Sequence, residues 1–161
     1  MSHHRFKGRY RGVAYSSLAI GGSLAVVSGI LGFLALPLFS GLIGIAAGGA
    51  YLLSPTWKLQ VTADDHGLTV ASPKAERFKL AWSDIVRVVA SPSTKSCFVD
   101  GGEPAKSLLV PGVGAPAPYD LEDRGALFDA IIAHVPADKV QTVETLEQAL
   151  RDANAPKPAS S

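Results

Sequence analysis

Only one cysteine, Cys97, occurs in the 161 residues, which excludes an intrachain disulfide and any zinc site built on Cys/His spacing. A lone thiol of this kind reads as a small strand residue rather than a nucleophile. No Asp, Glu, Lys, Arg or His falls between residues 13 and 57. That excludes an in-plane amphipathic helix there, because such a helix needs a polar face toward water. A basic surface is missing too: from Lys58 onward eleven basic residues stand against fourteen acidic ones. A mildly acidic region excludes the concentrated positive surface that nucleic acid requires. No phosphate-cradling loop is present, since Gly101-Gly102-Glu103 lacks both the following Lys-Ser/Thr and a strand-to-helix setting. No Ser-His-acid or Cys-His pairing shows a recognisable local context.

What is present begins with charge. Residues 1–12 carry Arg5, Lys7, Arg9 and Arg11 and no acid, and read as a basic cytoplasmic N-terminus. The charge-free run from 13 to 53 is 41 residues long. A span takes about 20 apolar residues, so the run suits two helices; as one straight helix it would extend roughly 60 Å. Pro37, with Ser40 and Gly41 just after it, is the breaker cluster near its middle. The pattern therefore predicts a two-helix transmembrane hairpin over 13–54, with helices at about 13–35 and 40–54 and a turn near 36–40.

Interfacial anchors stand at both ends of this run. Arg9, Tyr10, Arg11 and Tyr15 precede or open it, and Tyr51, Trp57 and Lys58 close it. If the chain crosses and returns, the positive-inside rule puts both termini in the cytoplasm, as in a multi-pass protein of the cell (inner) membrane. Small residues recur every four positions: Ser17, Gly21, Ala25 and Gly29 on the first helix, and Ser40, Gly44 and Gly48 on the second. This spacing lets two backbones approach closely in lipid, where packing replaces the missing hydrophobic drive. The faces pack on each other within the hairpin, or one of them pairs with another copy or a larger membrane partner. A cleaved signal peptide fits poorly, since the apolar run is too long and Leu34-Ala35-Leu36-Pro37 is a poor cleavage site. A single pass with a re-entrant second half stays open, because the second helix is short and glycine-rich.

From Trp57 the period becomes two. Leu59 and Val61 alternate with Lys58, Gln60 and Thr62, and after the turn Asp64-Asp65-His66-Gly67 the strand pattern resumes with Leu68 and Val70. Phe78, Leu80 and Trp82 mark a third strand, and Ile85 opens a fourth over 85–90. Weaker strands are expected at about 95–99 and 106–110, then a Pro/Gly loop over 112–118. The period then turns helical over about 120–135, with Asp120 as N-cap and Leu121, Leu127, Phe128, Ile131, Ile132 and Val135 as the apolar stripe. A shorter helix over about 142–151 and a disordered tail follow within 136–161. The fold class is α+β: a transmembrane hairpin, then a small antiparallel sandwich or barrel over 55–135, capped by the C-terminal helix.

Two stretches carry a resemblance. The run Val61-Thr62-Ala63-Asp64-Asp65-His66-Gly67-Leu68-Thr69-Val70, with Phe78, Leu80, Trp82-Ser83-Asp84-Ile85 and Val88 beyond it, resembles bacterial pleckstrin-homology-like (PH-like) domains of the YcxB-like type. These often follow a transmembrane hairpin. The resemblance implies two orthogonal sheets with the closing helix over one open end, and it is weaker across 91–118. It says little about activity.

No residue cluster reads as a catalytic, cofactor or metal site. Trp82 alternates inward with Phe78 and Leu80 and belongs to the core, while Asp84 after Ser83 caps a turn. Asp64, Asp65 and His66 are neighbours on a tight turn and cannot all face one ion. His134 suits a helix C-terminus, and His3 and His4 are expected to be unstructured. The expectation is thus a non-catalytic interaction or scaffold module without cofactor, held to the lipid bilayer and offered to a protein partner or, through the small-residue helix faces, to a second copy. A structural subunit of a larger membrane complex and a sensor of anionic lipid, through Lys74, Arg77 and Lys79, are the alternatives.

Overall fold

In a computed structural model, residues 2–115 and 117–146 are described. The chain divides into two compact units, Gly8–Trp57 and the segments on either side of it. In order, the elements are β1 (Ser2–Gly8), α1 (Arg11–Ile30), α2 (Ala35–Leu52), β2 (Gln60–Ala63), β3 (Gly67–Ser72), β4 (Ala75–Ala81), β5 (Arg87–Ser91), β6 (Ser96–Asp100), β7 (Leu108–Val110), β8 (Tyr119–Leu121), α3 (Arg124–His134) and β9 (Val140–Thr142). The class is α+β.

Among the described residues, the flanking segments build two sheets and the helix α3. The first sheet runs β4-β3-β2-β1-β8 and the second β7-β6-β5-β9. β1 to β4 form an antiparallel meander, and β5 to β7 form another. Val61, Leu68, Val70 and Leu80 from one sheet meet Val88, Cys97, Val99 and Val110 from the other, and Leu127, Phe128 and Ile131 of α3 join the same core. Leu59, Trp82 and Ile85 are buried in it, while Phe78 and Ile132 are half-buried at its margin. Gly67 must be glycine, since a Cβ there would strike the carbonyl oxygen of Leu80 on the neighbouring strand.

Several expectations are corrected. Ser2 to Gly8, His3 and His4 among them, form a strand and are not unstructured. Ser2 to Arg5 pair with β2 in the register Ser2–Ala63 to Arg5–Gln60, and the Phe6 N–H donates to Leu59 O at 3.1 Å. His4 is buried, with Nδ1 2.9 Å from Glu122 O and Nε2 3.0 Å from Ser2 Oγ. The alternation of His4 and Phe6 inward with Arg5 and Lys7 outward is itself a strand pattern, masked by its basic charge. Trp82 opens a 3-10 turn over Trp82–Asp84 rather than ending β4. Asp120 is not an N-cap. Tyr119 to Leu121 are drawn into the first sheet beside β1, so the helix starts later, after Asp123 in the left-handed region. Asp120 instead pairs with Arg124 at 3.3 Å. The start of the helix expected over 142–151 is corrected, because Val140 to Thr142 pair in parallel with Val88 to Ala90 and make the second sheet mixed, while Leu146 is helical. The rest of that predicted helix, beyond Leu146, and the predicted tail lie outside the described residues.

The remaining unit is a helical hairpin. Its turn falls at Leu31 to Leu34, not at 36–40, and Pro37 lies in the first turn of α2. A proline there interrupts little, because the first N–H groups of a helix have no intrahelical partner. The chain reverses instead at Gly32 and Phe33, with φ of 91° and 60°.

A decisive feature for experiment is that β1 and β2 lie on opposite sides of the hairpin in sequence and side by side in the sheet. Joining Lys7 to Lys58 through a short Asn-Gly turn in place of Gly8–Trp57 is expected to give a water-soluble domain with one cooperative thermal transition. A chain starting at Lys58, deprived of the strand between β2 and β8, is expected to show none. Equal cooperativity in circular-dichroism melts of the two would contradict the structural role assigned to β1.

Candidate functional site

The hairpin has its large residues outside and its small ones inside. Ala14, Gly21 and Ser28 are the buried residues of α1, and Gly41 and Gly48 those of α2. Each set repeats every seven residues, the period that keeps two helices in register along a shallow left-handed crossing. Gly21 and Gly41 face each other: a Cβ on either would lie 2.5 Å from the carbonyl oxygen of the other. Gly48 lies against Ala14 O, and Gly44 against Ser17 O and Gly21 Cα, while Ala25 N–H lies beside Gly41. Gly29 meets open space and Ser40 is exposed, its hydroxyl turned back onto Leu36 O at 2.6 Å. These two therefore lie off the hairpin seam, because a seven-residue repeat diverges from a strict four-residue stripe. Ala14, Ser28 and Gly41 take places on it that four-residue counting does not give them.

Outward, Val13, Ile20, Val26, Ile30, Leu36, Phe39 and Ile43 are exposed. Both helices are long and apolar enough to cross a membrane by length and composition. At the open end Tyr51 organises the aromatic anchors. Its hydroxyl accepts from the Tyr10 N–H at 2.9 Å, its ring packs against Trp57 at 4.9 Å, and its carbonyl accepts from the Trp57 indole N–H. Tyr15, Arg11 and Lys58 are exposed and Arg9 is half-buried.

In the domain, the best-formed concavity is a cleft of about 450 Å³ under the Pro/Gly loop. Leu109, Pro111, Val113, Ala117, Tyr119 and Leu146 give it apolar walls, with the hydroxyls of Thr94 and Ser96 at one side. Those hydroxyls are committed to one another. Thr94 Oγ1 lies 2.6 Å from Ser96 Oγ and donates to Ser91 Oγ at 2.9 Å, and Ser91 donates to Glu144 O at 2.7 Å. The chain of bonds ties the β5–β6 turn to the segment after β9. Among the described residues lining this cleft, Tyr119 is the titratable one. Burial raises its pKa, and its hydroxyl donates to Leu109 O at 3.0 Å. A second, polar cleft of about 570 Å³ adjoins the first, sharing Thr94 and Val113 and bounded by Lys95, Asp120, Asp123 and Arg124. In the sequence this surface is a Pro/Gly loop, and its one signal is Val113, an aliphatic between glycines.

The residues weighed for chemistry have structural duties. Asp64 Oδ1 accepts the N–H groups of His66 at 2.8 Å and Gly67 at 3.0 Å, and the His66 bond in particular lowers its pKa. Trp82 donates its indole N–H to Asp64 O at 2.9 Å and stacks on His134 at 4.9 Å. Asp84 accepts from the Ser83 hydroxyl at 3.2 Å. Cys97 is fully buried, and burial pushes its thiol up to about 12. Among the described residues, no three His, Cys, Asp or Glu side chains converge as metal ligands. Lys74, Arg77 and Lys79 are exposed along the β3–β4 turn and the edge strand β4.

No family model, curated protein or solved structure matches the chain.

Gly21→Leu or Gly41→Leu forces the backbones apart and is expected to cost at least about 1–3 kcal/mol of hairpin stability in detergent, as overpacking does. Gly22→Leu and Gly29→Leu, which meet open space, are expected to stay within about 0.5 kcal/mol of the parent. Similar losses in both pairs would remove the assigned seam. Cys97 is expected to resist maleimide at pH 8 until the fold is denatured. Its folded pKa of about 12 lies above the ordinary 9.0, so its contribution to stability is complete below about pH 9 and is lost as pH rises toward 12. Cys97→Ala should flatten the alkaline limb of a stability–pH curve relative to the parent.

Proposed function

We propose that this chain is a multi-pass protein of the cell (inner) membrane, whose hairpin anchors a non-catalytic, PH-like interaction domain on the cytoplasmic side for a protein partner. The pairing of β1 with β2 carries the membrane arrangement. These strands precede and follow the hairpin yet exchange backbone hydrogen bonds, so both belong in one aqueous compartment. An apolar segment that enters the lipid between them has to return to the side it left, which favours a hairpin over a single crossing. Arg5, Lys7, Arg9 and Arg11 before the segment and Lys58 after it favour the cytoplasm as that compartment. The exposed aliphatic surface of both helices fits a hydrocarbon solvent and would be a severe liability in water.

The PH-like reading is supported by the succession of a four-stranded meander, a three-stranded meander and one helix packed on a common core. The partner reading rests on the paired clefts around Val113. An apolar hollow beside a charged one has the make-up of a protein interface, where an apolar centre is bordered by polar groups. The hollow is of ligand-pocket size, but the Thr94 and Ser96 hydroxyls are bonded to one another and the Tyr119 hydroxyl to Leu109 O, which suits apolar side chains of a partner better than a polar substrate. Tethering at both strand ends holds the domain at the membrane surface, so a weak contact with another membrane protein suffices.

A photo-crosslinking residue at Val113, in the full chain in native membranes, tests this reading. A discrete protein adduct that disappears when Ala115→Trp fills the hollow is the expected result. Adducts confined to lipid, or to probes at Lys74 and Lys79, would replace the partner reading with headgroup recognition.

A further inference from the structure

We infer that the tip of the hairpin is a lipid-binding surface: Leu31 to Leu36 and Phe39 sit among the acyl chains of the distal leaflet and do not emerge into water on the far side. This rests on the membrane reading above and extends it.

Length comes first. α2 has 18 residues and α1 has 18 from Val13 to its end, so each apolar rod reaches about 27 Å. The hydrocarbon layer is about 30 Å thick, so rods held at the proximal interface by Tyr10, Tyr51 and Trp57 end just inside its distal boundary. Composition agrees with that depth. The turn is Leu31-Gly32-Phe33-Leu34, with no polar side chain, and Phe33 and Leu36 are 75 % and 86 % exposed. Phe33 holds a left-handed backbone, at φ 60°, where Gly or Asn is the ordinary choice for a turn in water. A bulky aromatic at such a position is explained by what its ring contacts.

Hydrogen bonding points the same way. In hydrocarbon an irregular turn must satisfy its backbone groups internally. The Leu31 N–H donates to Val27 O at 3.0 Å and the Phe33 N–H to Ser28 O at 2.7 Å. Ser28, the buried hydroxyl of α1, reaches across the turn and donates to Leu34 O at 2.7 Å. Ser40 donates to Leu36 O, and Pro37 brings no N–H to the first turn of α2. Leu34 O also accepts the Leu38 N–H at 3.2 Å and Leu36 O lies within α2, so both hydroxyls turn their protons onto the backbone instead of outward, where hydrocarbon offers no acceptor.

The test uses the full chain reconstituted in phosphatidylcholine–phosphatidylglycerol vesicles, with Cys97→Ala and single nitroxide labels at Phe33→Cys, Leu36→Cys, Ile20→Cys and Val113→Cys. Power saturation compares collisions with oxygen and with a water-soluble nickel chelate. Phe33 and Leu36 are expected to resemble Ile20, rich in oxygen and with nickel collisions roughly tenfold below those at Val113, as the hydrocarbon barrier to a polar chelate requires. Two labels on the turn guard against a disturbance by either one. Nickel accessibility at both tip positions equal to that at Val113, with Ile20 still protected, would overturn the inference and leave the hairpin intact. Nickel accessibility at Ile20 as well would bring down the membrane reading and this inference together.

Discussion

The structure depends on the hydrogen-bonded pairing of β1 with β2 across a fifty-residue excursion. β1 fills the place between β2 and β8, buries Phe6 and His4, and gives the Glu122 N–H its acceptor in Arg5 O at 2.9 Å. Without it, the first sheet ends at β2 and β8 loses its neighbour. The hairpin is therefore an insertion within a domain rather than a leader placed before one. Any account of topology has to return the chain to the sheet it left.

The two units obey opposite packing rules. In the domain, Val61, Leu68, Ile85, Val99, Leu127 and Ile131 are withdrawn from solvent, and polar side chains cover them. In the hairpin, glycine, alanine and serine occupy the contact, and valine, isoleucine, leucine and phenylalanine face outward. Each rule suits one solvent. Water drives large apolar groups together, whereas hydrocarbon offers no such drive and leaves close backbone approach as the source of helix association.

How much of this was legible from the sequence depends on which signal each residue sends. Alternation around Val61, Val70 and Leu80 announces strands, and the charge-free run announces two apolar helices. β1 was hidden because Arg5, Lys7, Arg9 and Arg11 invite a topological reading, while His4 and Phe6 are too few to suggest a strand unless β2 is known to lie beside them. Pro37 misled because a helix breaker in the interior is harmless in the first turn, and the true reversal uses Phe33, a residue without turn propensity. β8 and β9 are three residues each, recruited by neighbouring strands that lie far away in sequence. Asp120 has the chemistry of an N-cap but lies in β8. The cleft at Val113 is assembled from three separated segments, around Thr94, Val113 and Leu146, so no local motif marks it.

A sheet closed across an insertion also constrains the order of folding. Bringing the ends of a flexible fifty-residue loop together costs about 3.5 kcal/mol beyond a constant, by loop-closure scaling. A folded hairpin removes most of that cost in advance. Its helices are antiparallel, and the Tyr51 hydroxyl meets the Tyr10 N–H at the open end, so the two points where the chain leaves and rejoins the domain are already neighbours. The hairpin needs only local contacts between helices adjacent in sequence, and such contacts form early. β1, although first in the chain, must then wait as an unpaired strand until β2 is available. Its alternating Arg5 and Lys7 give that waiting edge the charge that discourages pairing with foreign strands. On this logic Arg5 and Lys7 protect the strand that the hairpin separates from its partner.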